Sequence, residues 1–142
     1  MISQAILLVE DNPDDLALTM RALKKSDIPN EVTVARDGAQ ALDYLFPPGG
    51  VCEDLPGLVL LDLHLPKADG LEVLARIRAD ERTKMIPVVI LTSSNEKEDI
   101  LRSYQNGANA YLRKPIAFSD FIEGVQTLGR FWLLWNEPPP GL

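Results

Sequence analysis

Five short runs rich in Ile, Val and Leu recur along this chain, and each is followed by a longer segment whose apolar residues repeat with helical spacing. The runs fall at residues 5–9, 31–35, 58–61, 87–91 and 110–112. Most are apolar at successive positions, as strands buried on both faces are. After the first run, Leu16, Met20 and Leu23 fall on one helical face. Further helices are expected over 40–46, 70–79, 96–105 and from 118 to about 135. Strands that alternate with helices form a parallel sheet with right-handed crossovers and helices on both faces. The expected fold is therefore a doubly wound, five-stranded α/β sheet with five helices.

The punctuation agrees. Asn12 followed by Pro13 is an N-cap followed by the residue best suited to the first helical position. Asp14 and Asp15 then stand in the first turn, where the helix dipole favours negative charge, and no further role is read into them. Ile28-Pro29-Asn30 stops this helix, and Asn106-Gly107 offers the fourth a left-handed cap. The stretch 47–57 (PPGGVCEDLPG) is a longer loop than such a fold needs. Its Cys52 reads as a free thiol without a role. A length of 142 residues allows one domain, placed at 1–135, with a Pro-rich, flexible tail at 136–142.

Charge and hydropathy exclude several classes. Lys and Arg number 14 against 21 Asp and Glu, a formal charge of −7, which repels a phosphate backbone and argues against nucleic-acid binding. No apolar run approaches the roughly 20 residues that span a membrane. The N-terminus lacks the basic region of a signal peptide. One Cys excludes a disulfide framework and a Cys-rich metal site. The expectation is a cytoplasmic protein with neither nucleic-acid nor membrane partners.

In a parallel sheet the carboxyl ends of the strands share one rim, and ligands bind there. Glu10 and Asp11 follow the first strand, Asp62 ends the third, Thr92 ends the fourth and Lys114 follows the fifth. Clustered carboxylates repel one another, and a hard divalent cation relieves the repulsion; Mg²⁺, which takes one or two carboxylates plus phosphate oxygens, suits this inventory. Lys114 offers a compact positive charge to a phosphoryl oxygen, and Thr92 a hydroxyl donor. A carboxylate left over can act as a nucleophile and form an aspartyl-phosphate. Capping the first helix does not explain Glu10 and Asp11, because Asn12-Pro13 already accounts for the cap.

Val9-Glu10-Asp11-Asn12, Leu60-Leu61-Asp62-Leu63-His64-Leu65-Pro66 with Gly70, Leu91-Thr92-Ser93-Ser94 and Lys114-Pro115 together resemble the motifs of two-component response-regulator receiver domains, the CheY-like family. The resemblance runs from about Ile6 to about Gly129. It implies a flavodoxin-like strand order 2-1-3-4-5. It also implies a phosphoacceptor at Asp62, fed by the phosphohistidine of a cognate histidine kinase. Glu10, Asp11 and Asp62 would organise Mg²⁺, for which Mn²⁺ can substitute, with His64 giving only its backbone carbonyl. Thr92 and Lys114 would contact the phosphoryl group, Tyr111 would be the aromatic switch, and Pro115 would follow a cis bond. His64 and Ser94, each two positions after a key residue, are expected to tune the lifetime of the phosphate.

The run Glu10 to Asp15, the long loop after the second helix and the C-terminal Phe131-Trp132-Leu133-Leu134-Trp135 resemble, more narrowly, the stand-alone regulators of bacterial phytochrome kinases. In the last helix, Phe118, Phe121, Ile122, Val125 and Leu128 form a core face. Phe131, Trp132, Leu134 and Trp135 exceed what one core stripe requires; they either fold back to extend the core or, the expectation taken here, form a dimer or partner surface. Three alternatives compete with a phosphorylation switch. A phosphatase would want an acid at position 64, which is His. An interaction module independent of phosphorylation would not need the whole rim set. A nucleotide carrier would need a glycine-rich loop after the first strand, where Glu10 and Asp11 stand.

Overall fold

The computed structural model describes residues 5–25, 31–50, 52, 54–114 and 117–140. Five parallel strands form one sheet in the order β2-β1-β3-β4-β5. They are β1 (Ile6–Val9), β2 (Val32–Ala35), β3 (Leu58–Leu61), β4 (Val88–Thr92) and β5 (Ala110–Arg113). The helices are α1 (Pro13–Lys24), α2 (Gly38–Leu45), α3 (Gly70–Ala79), α4 (Lys97–Gln105) and α5 (Phe118–Arg130).

The period of two along each strand divides the core. Leu7, Val9, Val59, Leu61, Val88 and Ile90 face α2 and α3, while Ile6, Leu8, Leu58, Leu60, Val89 and Leu91 face α1 and α5. Central strands β1, β3 and β4 are buried on both faces, which is why their sequences run apolar without a break. The face read from Leu16, Met20 and Leu23 packs on the α1/α5 layer. Asn12 caps α1 as its sequence implies, its side-chain oxygen accepting from the N–H groups of Asp14 and Asp15. Gly107, with φ of +97°, supplies the left-handed residue after α4.

Several boundaries differ from the reading of the sequence. β4 starts at Val88 because Pro87 has no N–H to give; it runs on to Thr92, whose carbonyl accepts the Lys114 N–H at 2.7 Å. α2 begins at Gly38, two residues early, because Asp37 is its cap and accepts from Gln40 N–H at 2.7 Å. The last helix does not continue as an α-helix to 135. It ends at Arg130 and passes into a π-helical turn, Phe131–Trp135, closed by Asn136 N–H donating to the Phe131 carbonyl at 2.6 Å. Phe118 is not in the core: it is 48% exposed, with the Arg21 guanidinium 5.9 Å from its ring centroid. The expected stop at 28–30 lies outside the described residues.

Candidate functional site

Backbone pairing continues one residue beyond the regular strands and so fixes the rim. Glu10 N–H donates to Ala35 O at 3.0 Å, Asp62 N–H to Val9 O at 3.1 Å and Lys114 N–H to Thr92 O at 2.7 Å. The main chains of Glu10, Asp62, Thr92 and Lys114 are thereby tied to neighbouring strands. Gly70 lets α3 start against this rim, since a Cβ there would stand 2.2 Å from the Asp62 carbonyl oxygen. Asp69, the residue before it, caps α3 by accepting from Glu72 N–H.

Carboxylate oxygens of Glu10, Asp11 and Asp62 lie within 4.8 Å of one another. Glu10 and Asp62 are buried, and Asp11 is exposed at the mouth. A compact, all-oxygen donor set of this kind fits a hard divalent cation. The Lys114 ammonium lies beside it, 2.5 Å from Glu10 Oε1, 2.9 Å from Asp15 Oδ2 and 3.2 Å from Asp62 Oδ2. One buried cation therefore serves three carboxylates.

The titration behaviour follows from that shortage. Burial pushes the Glu10 carboxyl up to about 7, against the pull of Lys114. Burial also raises the Asp62 carboxyl, but the Lys114 charge and hydrogen bonds from Glu10 and Thr92 outweigh it and hold Asp62 below the usual range. Burial opposes the Lys114 charge, and the surrounding carboxylates more than compensate, raising its pKa. Asp62 thus keeps its negative charge, as a nucleophile must, while Glu10 takes up the imbalance.

Asp15 belongs to this cluster, contrary to its reading as a helix-start charge. The first turn of α1 brings it over the rim to Lys114, a partner 99 residues away that helical spacing does not reveal. Thr92 is fully buried, and Tyr111 is half-buried with its hydroxyl donating to the Ser94 carbonyl at 2.9 Å. His64 N–H points to Asp62 Oδ1 at 3.4 Å, while Nε2 of its exposed imidazole ring stands 3.6 Å from Asp99 Oδ2. Pro115 lies outside the described residues, and so does the peptide bond expected to be cis.

At the far end of α5, Trp132 and Leu133 pack on the core. Phe131, Leu134 and Trp135 are exposed, by 77% in the case of Trp135. Phe131 and Trp132 meet edge to face at 5.1 Å. A cleft of about 590 Å³ opens beside them, lined by Leu112, Gly124, Leu128, Phe131, Trp132 and Trp135 among others. Among the described residues no helix is long and apolar enough to cross a membrane.

A doubly wound sheet with a carboxylate cluster and a buried lysine ammonium at its carboxyl rim defines the class: an α/β fold with an acidic pocket suited to a divalent metal. The sequence model of the response regulator receiver domain matches residues 6–126, and the chain belongs to that family. Among curated proteins it is 46% identical over 134 residues to the probable methanogenesis regulatory protein FilR2 of Methanothrix harundinacea, covering 94% of this chain and 86% of that one. It is 43% identical over 131 residues to the response regulator Rcp1 of Synechocystis, covering 92% and 89%. The Mn²⁺-bound crystal structure of Rcp1 superposes with a TM-score of 0.88 over 96% of this chain and 99% of that one, at 42% identity. The phosphorylated cyanobacterial phytochrome response regulator RcpA superposes with a TM-score of 0.90, at the same identity and coverage.

Proposed function

We propose that residues 1–135 act as one receiver unit, with 136–142 as a tail, that accepts a phosphoryl group on Asp62 from the phosphohistidine of a histidine kinase. Asp62 Oδ attacks phosphorus, the P–N bond breaks as the P–O bond forms, and the imidazole leaves. The observation that carries this reading is the Lys114 ammonium shared by Glu10, Asp15 and Asp62 beside an all-oxygen carboxylate cluster. Glu10, Asp11, Asp62 and the His64 carbonyl would hold Mg²⁺, or Mn²⁺ in its place. That ion supplies positive charge to the carboxylates and the transferring phosphoryl oxygens. Lys114 orients the phosphoryl group by charge, and the Thr92 hydroxyl donates to it.

The chain catalyses its own phosphorylation and dephosphorylation and turns over no external metabolite. Its output is a population shift, read through Tyr111, that changes protein contacts. Homodimerisation through Phe131, Trp132, Leu134 and Trp135 is the contact we favour, because Phe131, Leu134 and Trp135 present apolar surface beyond the core and Trp132 packs beneath them. The phytochrome regulator RcpA, similar over 96% of this chain, supports a phytochrome-type kinase as the partner. A cytoplasmic setting, with neither nucleic-acid nor membrane partners, follows from the same reading.

The test compares wild type with Asp62→Asn, each given acetyl phosphate with and without Mg²⁺. Phosphate-affinity electrophoresis reads the modification and light scattering reads the mass. A Mg²⁺-dependent shift that vanishes in Asp62→Asn, with a rise in mass that Trp135→Ser abolishes, is the expected result. An unshifted wild type overturns the switch; a shift at constant mass overturns the dimer.

A further inference from the structure

Ser94 lies where three elements cross. Its N–H is 3.5 Å from the Thr92 hydroxyl oxygen, its carbonyl accepts from Tyr111 OH at 2.9 Å, and its Oγ donates to Asp99 Oδ2 at 2.6 Å. The same Oγ accepts from Glu96 N–H at 3.3 Å. Asp99 stands in the first turn of α4, a helix whose cap residue Glu96 makes no side-chain capping bond. Its Oδ2 is also 3.6 Å from His64 Nε2, on the loop that follows Asp62. The contacts run in a chain from Asp62 to His64 N–H, His64 to Asp99, Asp99 to Ser94 and Ser94 to the buried Thr92.

We propose that Asp99 is a positioning residue for the phosphoryl chemistry. Its carboxylate bridges the loops after β3 and β4 across the mouth of the site, and holds Ser94 so that Tyr111 and Thr92 stay coupled. The proposal rests on Asp62 being the phosphoacceptor. With the bridge in place, the loops shield the aspartyl-phosphate from water and Tyr111 keeps one position. Without it, Ser94 loses its anchor in α4, water reaches the acyl phosphate more readily, and Tyr111 samples several positions. A plain helix-start charge would stabilise α4 and do neither.

The measurement is the half-life of the phosphorylated protein in Mg²⁺ after acetyl phosphate is removed. It is made on wild type, Asp99→Ala, Asp99→Asn, Ser94→Ala and the Asp99→Ala/Ser94→Ala double variant, with NMR of the Tyr111 ring alongside. We expect Asp99→Ala to shorten the half-life about tenfold, the scale of one lost hydrogen bond to a charged group, and to broaden the Tyr111 signals. Asp99→Asn keeps an oxygen for the Ser94 hydroxyl and should restore most of the lifetime. Ser94→Ala should match Asp99→Ala, and the double variant should lose nothing further, because the two act through one contact. A wild-type half-life in Asp99→Ala, or effects of Ser94 and Asp99 that simply add, overturns the proposal. A wild type that takes up no phosphate overturns instead the assignment of Asp62 on which it rests.

Discussion

Two cations at opposite ends of the sheet, half-buried Arg78 and the nearly buried Lys114 ammonium, are solvated in opposite ways. Arg78, at the end of α3, donates Nε to Gly107 O at 2.9 Å, Nη1 to Lys84 O and Ile86 O at 2.8 Å each, and Nη2 to Asn109 Oδ1 at 2.8 Å. All of these partners are neutral oxygens, so burial alone lowers its pKa. The Asn109 oxygen in turn accepts from Val88 N–H at the start of β4. Arg78 thus stitches the α3–β4 connection to the α4–β5 turn, and its planar fork meets fixed dipoles. Lys114 instead faces three carboxylates. The first arrangement is complete and has no reason to change. The second leaves surplus negative charge, which the fold tolerates because a cation or a protonated Glu10 relieves it. One pole holds the fold together; the other is short of positive charge.

The contrast breaks most visibly at Arg78. Arg78→Ala removes the guanidinium donor from three carbonyls and leaves Asn109 Oδ1 only Val88 N–H; it should cost about 2–4 kcal/mol in urea unfolding, while the rate of phosphate uptake of the folded protein stays unchanged. Lys114→Met should cost about 2 kcal/mol without metal, because Glu10, Asp15 and Asp62 lose their counter-charge. Added Mg²⁺ should then raise the melting temperature of Lys114→Met more than that of wild type, and should leave the Arg78→Ala deficit in place. Equal Mg²⁺ responses in both variants would erase the distinction between the poles.

Proton uptake sharpens the same contrast. Glu10 is raised from 4.5 to about 7 in the folded chain, so its proton stabilises the fold below about 4.5, and that contribution is lost as the pH rises through about 7. Relative to wild type, metal-free Glu10→Gln should therefore gain stability across this window, by roughly 1–3 kcal/mol at its upper end. Denaturant titrations at several pH values would read it. A flat difference would mean that Glu10 does not carry the imbalance. The smallest effect is expected of Asp15→Asn, whose carboxylate is partly solvated: about 0.5 kcal/mol, with phosphate uptake retained.

Particular residues explain what was legible. Glu10, Asp62 and Lys114 each follow a short apolar run, and a parallel sheet brings such positions together, so the rim was readable from strand ends alone. Gly107 announced its left-handed turn because only glycine adopts it without strain. The cross-element contacts of Asp15 and Asp99 were not readable. Each residue looks like any acid in the first turn of a helix, and its partner lies on another element, Lys114 for Asp15 and His64 for Asp99. Phe118 fits the apolar stripe of α5 yet sits one turn before the helix reaches the core. The π-helical turn at Phe131–Trp135 has no signature distinct from a continued helix, because the same apolar run satisfies both periods.

The most direct test of the account is to locate the modification itself. Wild type would be incubated with acetyl phosphate in Mg²⁺ or in chelator, weighed intact by mass spectrometry and then mapped by peptide. One phosphoryl group is expected, on Asp62, formed only when the divalent ion is present. A phosphoryl group on another residue, or equal labelling in chelator, would contradict it.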